Sequence, residues 1–368
     1  MSLDAKKALN LLSKYRSQLM GIAILWVAVS HANYACVRPL TIFLKLSGYG
    51  GVDIFFFLSG IGLYYSLEKD DNILSFYKRR AWRLAPAYLI FLVLWFIPLF
   101  LEQTDLYGVY YTGKNFLENL SMTGWMNGLD NQFNWYIQAV FWFYLLAPVL
   151  FKVICAIDEK EEPIWSYQIL FFFILCMEIA FLHKETLMAV SRIPIFLMGM
   201  IFSDLAKKER WKKVHPIIWY GMAILGCVIL QHFQQTDQNL CWQYGIWWHP
   251  FILITPGLCL AFCQLFEVLE KTNVTAWISG GIGRILGVLG AYSFEIYLIH
   301  IAFLDRVPKK IVPKNNFHWL LMMVISIILG ILFGVIIEKG KGLLHARIVD
   351  MQHHVTCDST ELETGSQS

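Results

Sequence analysis

Hydrophobic residues in this chain come in long unbroken runs rather than in the half-apolar patterns of a soluble fold. Runs of about 20 apolar residues recur from Leu19 to Ile337, each long enough to cross a hydrocarbon core of roughly 30 Å as a helix. Lipid offers the backbone no outside hydrogen-bond partner, so these runs are expected to be helices. They predict spans near residues 17–35, 49–67, 84–101, 135–155, 166–182, 187–206, 216–232, 248–269, 286–304 and 317–338. The expected fold is an all-α, polytopic membrane protein, with about ten transmembrane helices in one bundle. Residues 1–16 read as a cytoplasmic N-terminal segment, 17–338 as the transmembrane domain and 339–368 as a polar, disordered cytoplasmic tail. The tail from Met351 to Ser368 has no apolar stripe to bury, hence the expectation of disorder.

Composition agrees. Hydrophobic residues make up 57% of the chain and charged residues 15%, against about 25% charged in an ordinary soluble domain. The lipid bilayer is therefore the first partner, and a net charge of +3 gives no reason to expect nucleic acid. The 8 cysteines form no CxxC pair, and Cys259 and Cys263, on one helix face, read as packing residues.

Orientation follows from where lysine and arginine collect. Lys6, Lys7, Lys14 and Arg16 precede the first span, Lys69, Lys78, Arg79, Arg80 and Arg83 precede the third, and Lys207, Lys208, Arg210, Lys212 and Lys213 follow the sixth. The positive-inside rule puts all three groups in the cytoplasm. An even number of spans then puts both termini of this integral cell-membrane protein there too. The segment from Glu102 to Asn134 falls outside. It is rich in Tyr, Trp, Asn and Gly, and reads either as a solvated loop or as a carbohydrate-facing surface.

Ionisable residues at lipid depth are costly, which makes each a candidate for function. His31 stands at the outer end of the first span, roughly 22 Å from Arg16 at 1.5 Å per helical residue. It is either a packed histidine or a base for a hydroxyl proton. Asp53 begins the second span at similar depth, where it either caps the helix or orients the His31 imidazole. Arg80 and Arg83, one helical turn apart in FYKRRAWRLAP, suit either positive-inside anchoring or the phosphates of a nucleotide-like acyl donor. Arg192 lies within the sixth span beside a proline and is expected to line a cavity. His183, His232, His249, His300 and His318 stand at outer span ends. No HExxH pair marks a metal site, and these histidines read as interface residues. Glu295, within the ninth span, is expected to pair with a neighbouring helix.

Six segments in order, MGIAILWVAVSH, GGVDIFFFLSG, FYKRRAWRLAP, WYIQAVFWFYLLAP, RIPIFLMG and LGAYSFEIYLIH, resemble the acyltransferase 3 family of ten-helix membrane acyltransferases. The resemblance implies an acyltransferase that moves an acyl group, usually acetyl from acetyl-CoA, to a hydroxyl of a surface or exported glycan. Acyl-CoA is then a co-substrate, with no permanently bound cofactor and no metal. By position His31 matches the family's essential histidine, and Arg80 and Arg83 its basic motif. The family's usual arginine eleven residues before the histidine is here Met20, with Arg16 one turn deeper on the same face as a substitute donor ligand. The family's fourth-span glutamate is here Val140. Two other classes stay open: a transporter or flippase of a glycan intermediate, and a non-catalytic membrane sensor or anchor.

Overall fold

Asp4 opens the first helix, its carboxylate accepting a 2.8 Å hydrogen bond from the Lys6 amide and so capping α1 (Ala5–Lys14). The computed structural model describes residues 3–365, apart from 33–34, 37, 71, 103–112, 127–133, 159–171, 173–174, 178–185, 210–211, 237–246 and 272. β1 (Leu3–Asp4) pairs antiparallel with β2 (Lys213–Val214), tying the N-terminus to one of the basic segments. α1 has the apolar stripe of a docked amphipathic helix, burying Ala5, Ala8, Leu9, Leu11 and Leu12. The segment before the first span is therefore packed against the bundle. Tyr15 sets its ring 5.4 Å from Phe266, and Lys14 Nζ lies 2.7 Å from Glu270 Oε2.

Among the described residues seven helices are long and apolar enough to cross a membrane, eight if one bent pair counts as a single span. The first span becomes α2 (Arg16–His31). It is shorter than expected and stops at His31, because Ala32 turns extended. α3 (Pro39–Leu46) is a short helix leading to α4 (Gly50–Lys69). α5 (Ile73–Glu102) starts well before the predicted 84, so Arg80 and Arg83 are helical residues. α7 (Trp135–Asp158), α10 (Pro216–Gln235) and α11 (Phe251–Leu269) match their predicted spans closely, whereas predicted span 166–182 lies almost wholly outside the described residues.

Two predicted spans are interrupted. α8 (Leu187–Val190) and α9 (Ile193–Lys207) meet at a turn through Ser191 and Arg192. α12 (Asn273–Ala291) and α13 (Ser293–Lys310) meet at Tyr292 with a bend of 74°. Unwound backbone at membrane depth is tolerated where protein or a polar cavity covers it. The final helix, α14 (Asn316–Gly365), continues beyond the predicted end of its span and through the tail expected to be disordered. Elongation from an existing helix adds one hydrogen bond per ordered residue without a new nucleus.

The segment expected as an outer loop also departs from expectation. Its described part, α6 (Gly113–Leu120) and a 3₁₀ turn at Gly124–Met126, folds back between α5 and α7. The Met122 carbonyl accepts from the Trp142 indole at 2.7 Å. Gln138 donates to Asn119 at 2.8 Å and to Asn134 at 2.5 Å, and the Tyr88 hydroxyl donates to the Asn119 carbonyl at 2.9 Å. Asn119 and Asn134, in a segment read as a solvated loop or carbohydrate-facing surface, are instead buried and bonded inside the protein.

Glycines set the closest helix crossings. A Cβ on Gly60 would collide with the Phe196 carbonyl of α9, and one on Gly199 with the Phe57 carbonyl of α4. Gly21 and Gly290 do the same between α2 and α12, against Leu286 and Ser17. Such small-residue contacts let backbones approach where lipid supplies no hydrophobic drive. At one end of the bundle Tyr64 donates to Asp204 at 2.7 Å, and Lys207 pairs with Glu68, fixing α4 against α9. This is the end to which the basic segments belong, and it is called the basic end below.

Gly60→Val and Gly199→Val are each expected to destabilise the detergent-solubilised protein by about 1–3 kcal/mol, the usual range for overpacking. Gly221, which has open space where a Cβ would stand, supplies the control: Gly221→Ala should melt no lower than the parent.

Candidate active site

His31 is the last residue of α2, opposite the basic end. The residue is exposed, while Nδ1 lies 3.0 Å from Nε2 of His300. His300, on α13, is fully buried, and its own Nδ1 lies 2.9 Å from the Ile296 carbonyl oxygen one turn earlier. The α13 helix thus delivers a second imidazole to the back of the first. His300, read in sequence as an interface residue, is the partner that reading missed. Its trace there was its place at the end of the segment LGAYSFEIYLIH, one turn beyond Ile296 and Tyr297.

Asp53 does not orient His31. It pairs with Arg192, Nε to Oδ1 at 3.6 Å, with both side chains almost completely buried. The reason is the crossing of α4 and α9, which puts the start of α4 beside the turn between α8 and α9. An arginine there outcompetes a neutral imidazole for a buried carboxylate. Arg192 also donates to the Met188 carbonyl at 2.9 Å and to Ser191 Oγ at 3.0 Å. The guanidinium carbon lies 5.3 Å from the Trp135 ring centroid and 4.7 Å from that of Trp248. Arg192 is therefore enclosed between two indoles, a cation–π setting that offsets part of its desolvation. Asp53 Oδ2 is buried without a hydrogen-bond partner.

Toward the basic end lies a cavity of about 100 Å³ whose wall includes Arg16, Arg83, Lys341, Glu295, Glu338 and Tyr136. Met20 and Val140 line the same cavity, so Arg16 does reach the space beside Met20. Its guanidinium rests against Gly62 of α4, where a larger residue would displace it. Glu295 is nearly buried on this wall, and Lys341 donates to the Arg83 carbonyl at 2.9 Å. Arg80 lies close by, its guanidinium carbon 5.8 Å from the Tyr144 ring centroid. It lines a separate cavity of about 360 Å³ with Tyr77, Ser121, Met122 and Trp142, and Tyr144 belongs to both walls. Residues three apart on a helix point about 60° apart around its axis, so the two arginines flank Tyr144 rather than forming one clamp. Arg16 Nε and Arg80 Nε are both buried without a hydrogen-bond partner.

Aromatic rings join the cavity to the histidines. Tyr136, on the cavity wall, stands 4.7 Å from Tyr297 centroid to centroid, and Tyr297 stands 5.4 Å from His300. Cations thus line one end of the bundle and an imidazole pair stands at the other, with aromatic rings between them.

A family model described as an acyltransferase domain, that of acyltransferase 3, matches residues 18–339, nearly the whole chain. The chain belongs to this family and is a membrane acyltransferase. No curated protein and no solved structure matches it.

Arg192→Met is expected to lower stability by about 3–5 kcal/mol, because it leaves the Asp53 carboxylate buried and unpaired. Pairing it with Asp53→Asn should recover much of the loss, since both residues serve one interaction. Melting of the purified single and double variants measures the coupling, and additive losses would show that the two side chains act independently.

Proposed function

We propose that the protein transfers an acyl group, most simply acetyl, from acyl-CoA to a hydroxyl of a surface or exported glycan. The observation that carries this reading is the alignment of the Arg16, Arg83 and Lys341 cavity with the exposed imidazole of His31 through Tyr136, Tyr297 and His300. Arginine and lysine are suited to phosphate oxygens, arginine by bidentate hydrogen bonding and lysine as a compact charge. The cavity is well below the ~300–1,000 Å³ typical of a whole-ligand pocket. On this reading the nucleotide of the donor stays at the basic end, and only phosphates and the pantetheine arm enter. The Tyr136 and Tyr297 rings then have to move aside for that arm to reach His31.

The chemistry is acyl transfer from a thioester. His31 takes the proton of the acceptor hydroxyl as its oxygen bonds to the acyl carbon. The C–S bond breaks, and the departing thiolate recovers a proton from the imidazolium. Arg83 and Arg16 hold the donor, with Arg80 beside Tyr144 in the adjoining cavity. Arg192 and Asp53 support the wall beside the reacting centre. In a cell membrane the basic end faces the cytoplasm by the positive-inside rule, with both termini there and His31 toward the outside.

Membranes containing the protein, supplied with radiolabelled acetyl-CoA, should place label in the glycan fraction. His31→Gln should reduce this by about 10²–10⁴, the usual contribution of a general base. Arg16→Ala and Arg83→Ala should instead raise the donor KM. Absence of label from every glycan fraction would overturn the reading of donor and acceptor. For orientation, single cysteines at Lys314 and Lys208 in a cysteine-free variant should respectively react and fail to react with an impermeant maleimide on intact cells. The reverse pattern would put the basic end outside.

A further inference from the structure

We infer that His300 is a positioning residue that fixes the tautomer of His31, and that the anchor of this relay is the backbone carbonyl of Ile296 rather than a carboxylate. The inference rests on the reading of His31 as the base. Its steps follow from which atoms can donate. The Ile296 carbonyl oxygen can only accept, so the 2.9 Å contact with His300 Nδ1 requires the hydrogen to sit on that nitrogen. A neutral imidazole with hydrogen on Nδ1 carries its lone pair on Nε2. That atom faces His31 Nδ1 at 3.0 Å, so His31 Nδ1 must be the donor of the pair. The lone pair of His31 is thereby left on Nε2, the nitrogen turned away from His300, in a residue that is exposed.

The alternative proton arrangement is unfavourable on this geometry. A doubly protonated His300 would donate from Nε2 and force the lone pair of His31 onto Nδ1, abolishing the base. It would also be a fully buried cation, with both ring nitrogens already engaged by a carbonyl and an imidazole and no ion pair to a carboxylate among the described residues. Burial of such a charge is costly. A carbonyl anchor has a property that a carboxylate lacks: it carries no net charge and does not titrate, so the tautomer is set without placing an anion at membrane depth. In this fold the available carboxylate, Asp53, is committed to Arg192, and the relay through α13 does the orienting instead.

The test compares three substitutions at His300 with His31→Gln, at equal amounts of inserted protein, using transfer from radiolabelled acetyl-CoA to the glycan fraction of membranes. His300→Phe removes the acceptor for His31 Nδ1 and should lower kcat about tenfold to hundredfold, part of the 10²–10⁴ a general base contributes, with the donor KM unchanged. His300→Gln can place its amide oxygen near the position of Nε2, whereas His300→Asn reaches only the position of Nδ1. The glutamine variant should therefore retain clearly more turnover than the asparagine variant, a difference that a packing role would not produce. Turnover of His300→Phe within twofold of the parent, or equal impairment of the glutamine and asparagine variants, would overturn the inference. If the phenylalanine variant fails to insert, the glutamine–asparagine comparison decides alone. An inactive His31→Gln beside a fully active His300→Phe removes only the relay, whereas an active His31→Gln removes the base and the relay with it.

Discussion

A polar group surrounded by hydrocarbon has only the protein itself to bond, and that constraint organises the interior of this bundle. Leu89, Val93, Leu145, Val149, Ile224 and Val228 are exposed on helix surfaces that face lipid, while Asp53, Gln138, Arg192, Asp204 and His300 are buried. Each of these buried groups has a named partner on another helix or turn: Arg192 for Asp53, Asn119 for Gln138, Tyr64 for Asp204 and His31 for His300. The same bonds that make these residues tolerable in a membrane therefore fix how the helices sit against one another.

Close approach is the second requirement, and the glycines of α2, α4, α9 and α12 provide it. Their crossings bring the start of α4 to the turn at Ser191 and Arg192, and bring α12 alongside α2. The chain then bends by 74° at Tyr292. Beyond that bend the single helix α13 carries Ser293 and Glu295 on the wall of the basic-end cavity and, further along, His300 beside His31.

The consequence for chemistry is a division of labour between two buried polar systems at the same end. Arg192 and Asp53 form a charged pair sealed by Trp135 and Trp248, which favours rigidity. His31 and His300 form an imidazole pair whose His31 residue is exposed, which on the proposed reading suits a group that meets substrate. Keeping the carboxylate out of the histidine pair avoids holding the imidazole to a fixed anion, and leaves proton placement to the hydrogen-bond rules of carbonyl and imidazole.

Much of the architecture was written in the sequence, because the length of an apolar run is a local property and the bilayer fixes the length required. Composition and run length led to an all-α membrane protein, and six motifs in order pointed to the acyltransferase family to which the chain belongs. The resemblance singled out His31, and Arg16 and Arg83 were legible as cations near the basic end. The pairing of these residues was not legible. Whether Asp53 meets His31 or Arg192, whether Arg80 shares a cavity with Arg83, and whether residues 113–126 form an open loop or pack between α5 and α7 all depend on contacts between segments far apart in the chain. His300 lies 269 positions from His31, and no periodicity along one helix encodes which face of another it will reach. Only the packed bundle decides that, because the partner of a buried polar group is chosen by distance in space and by which competing charge is nearer.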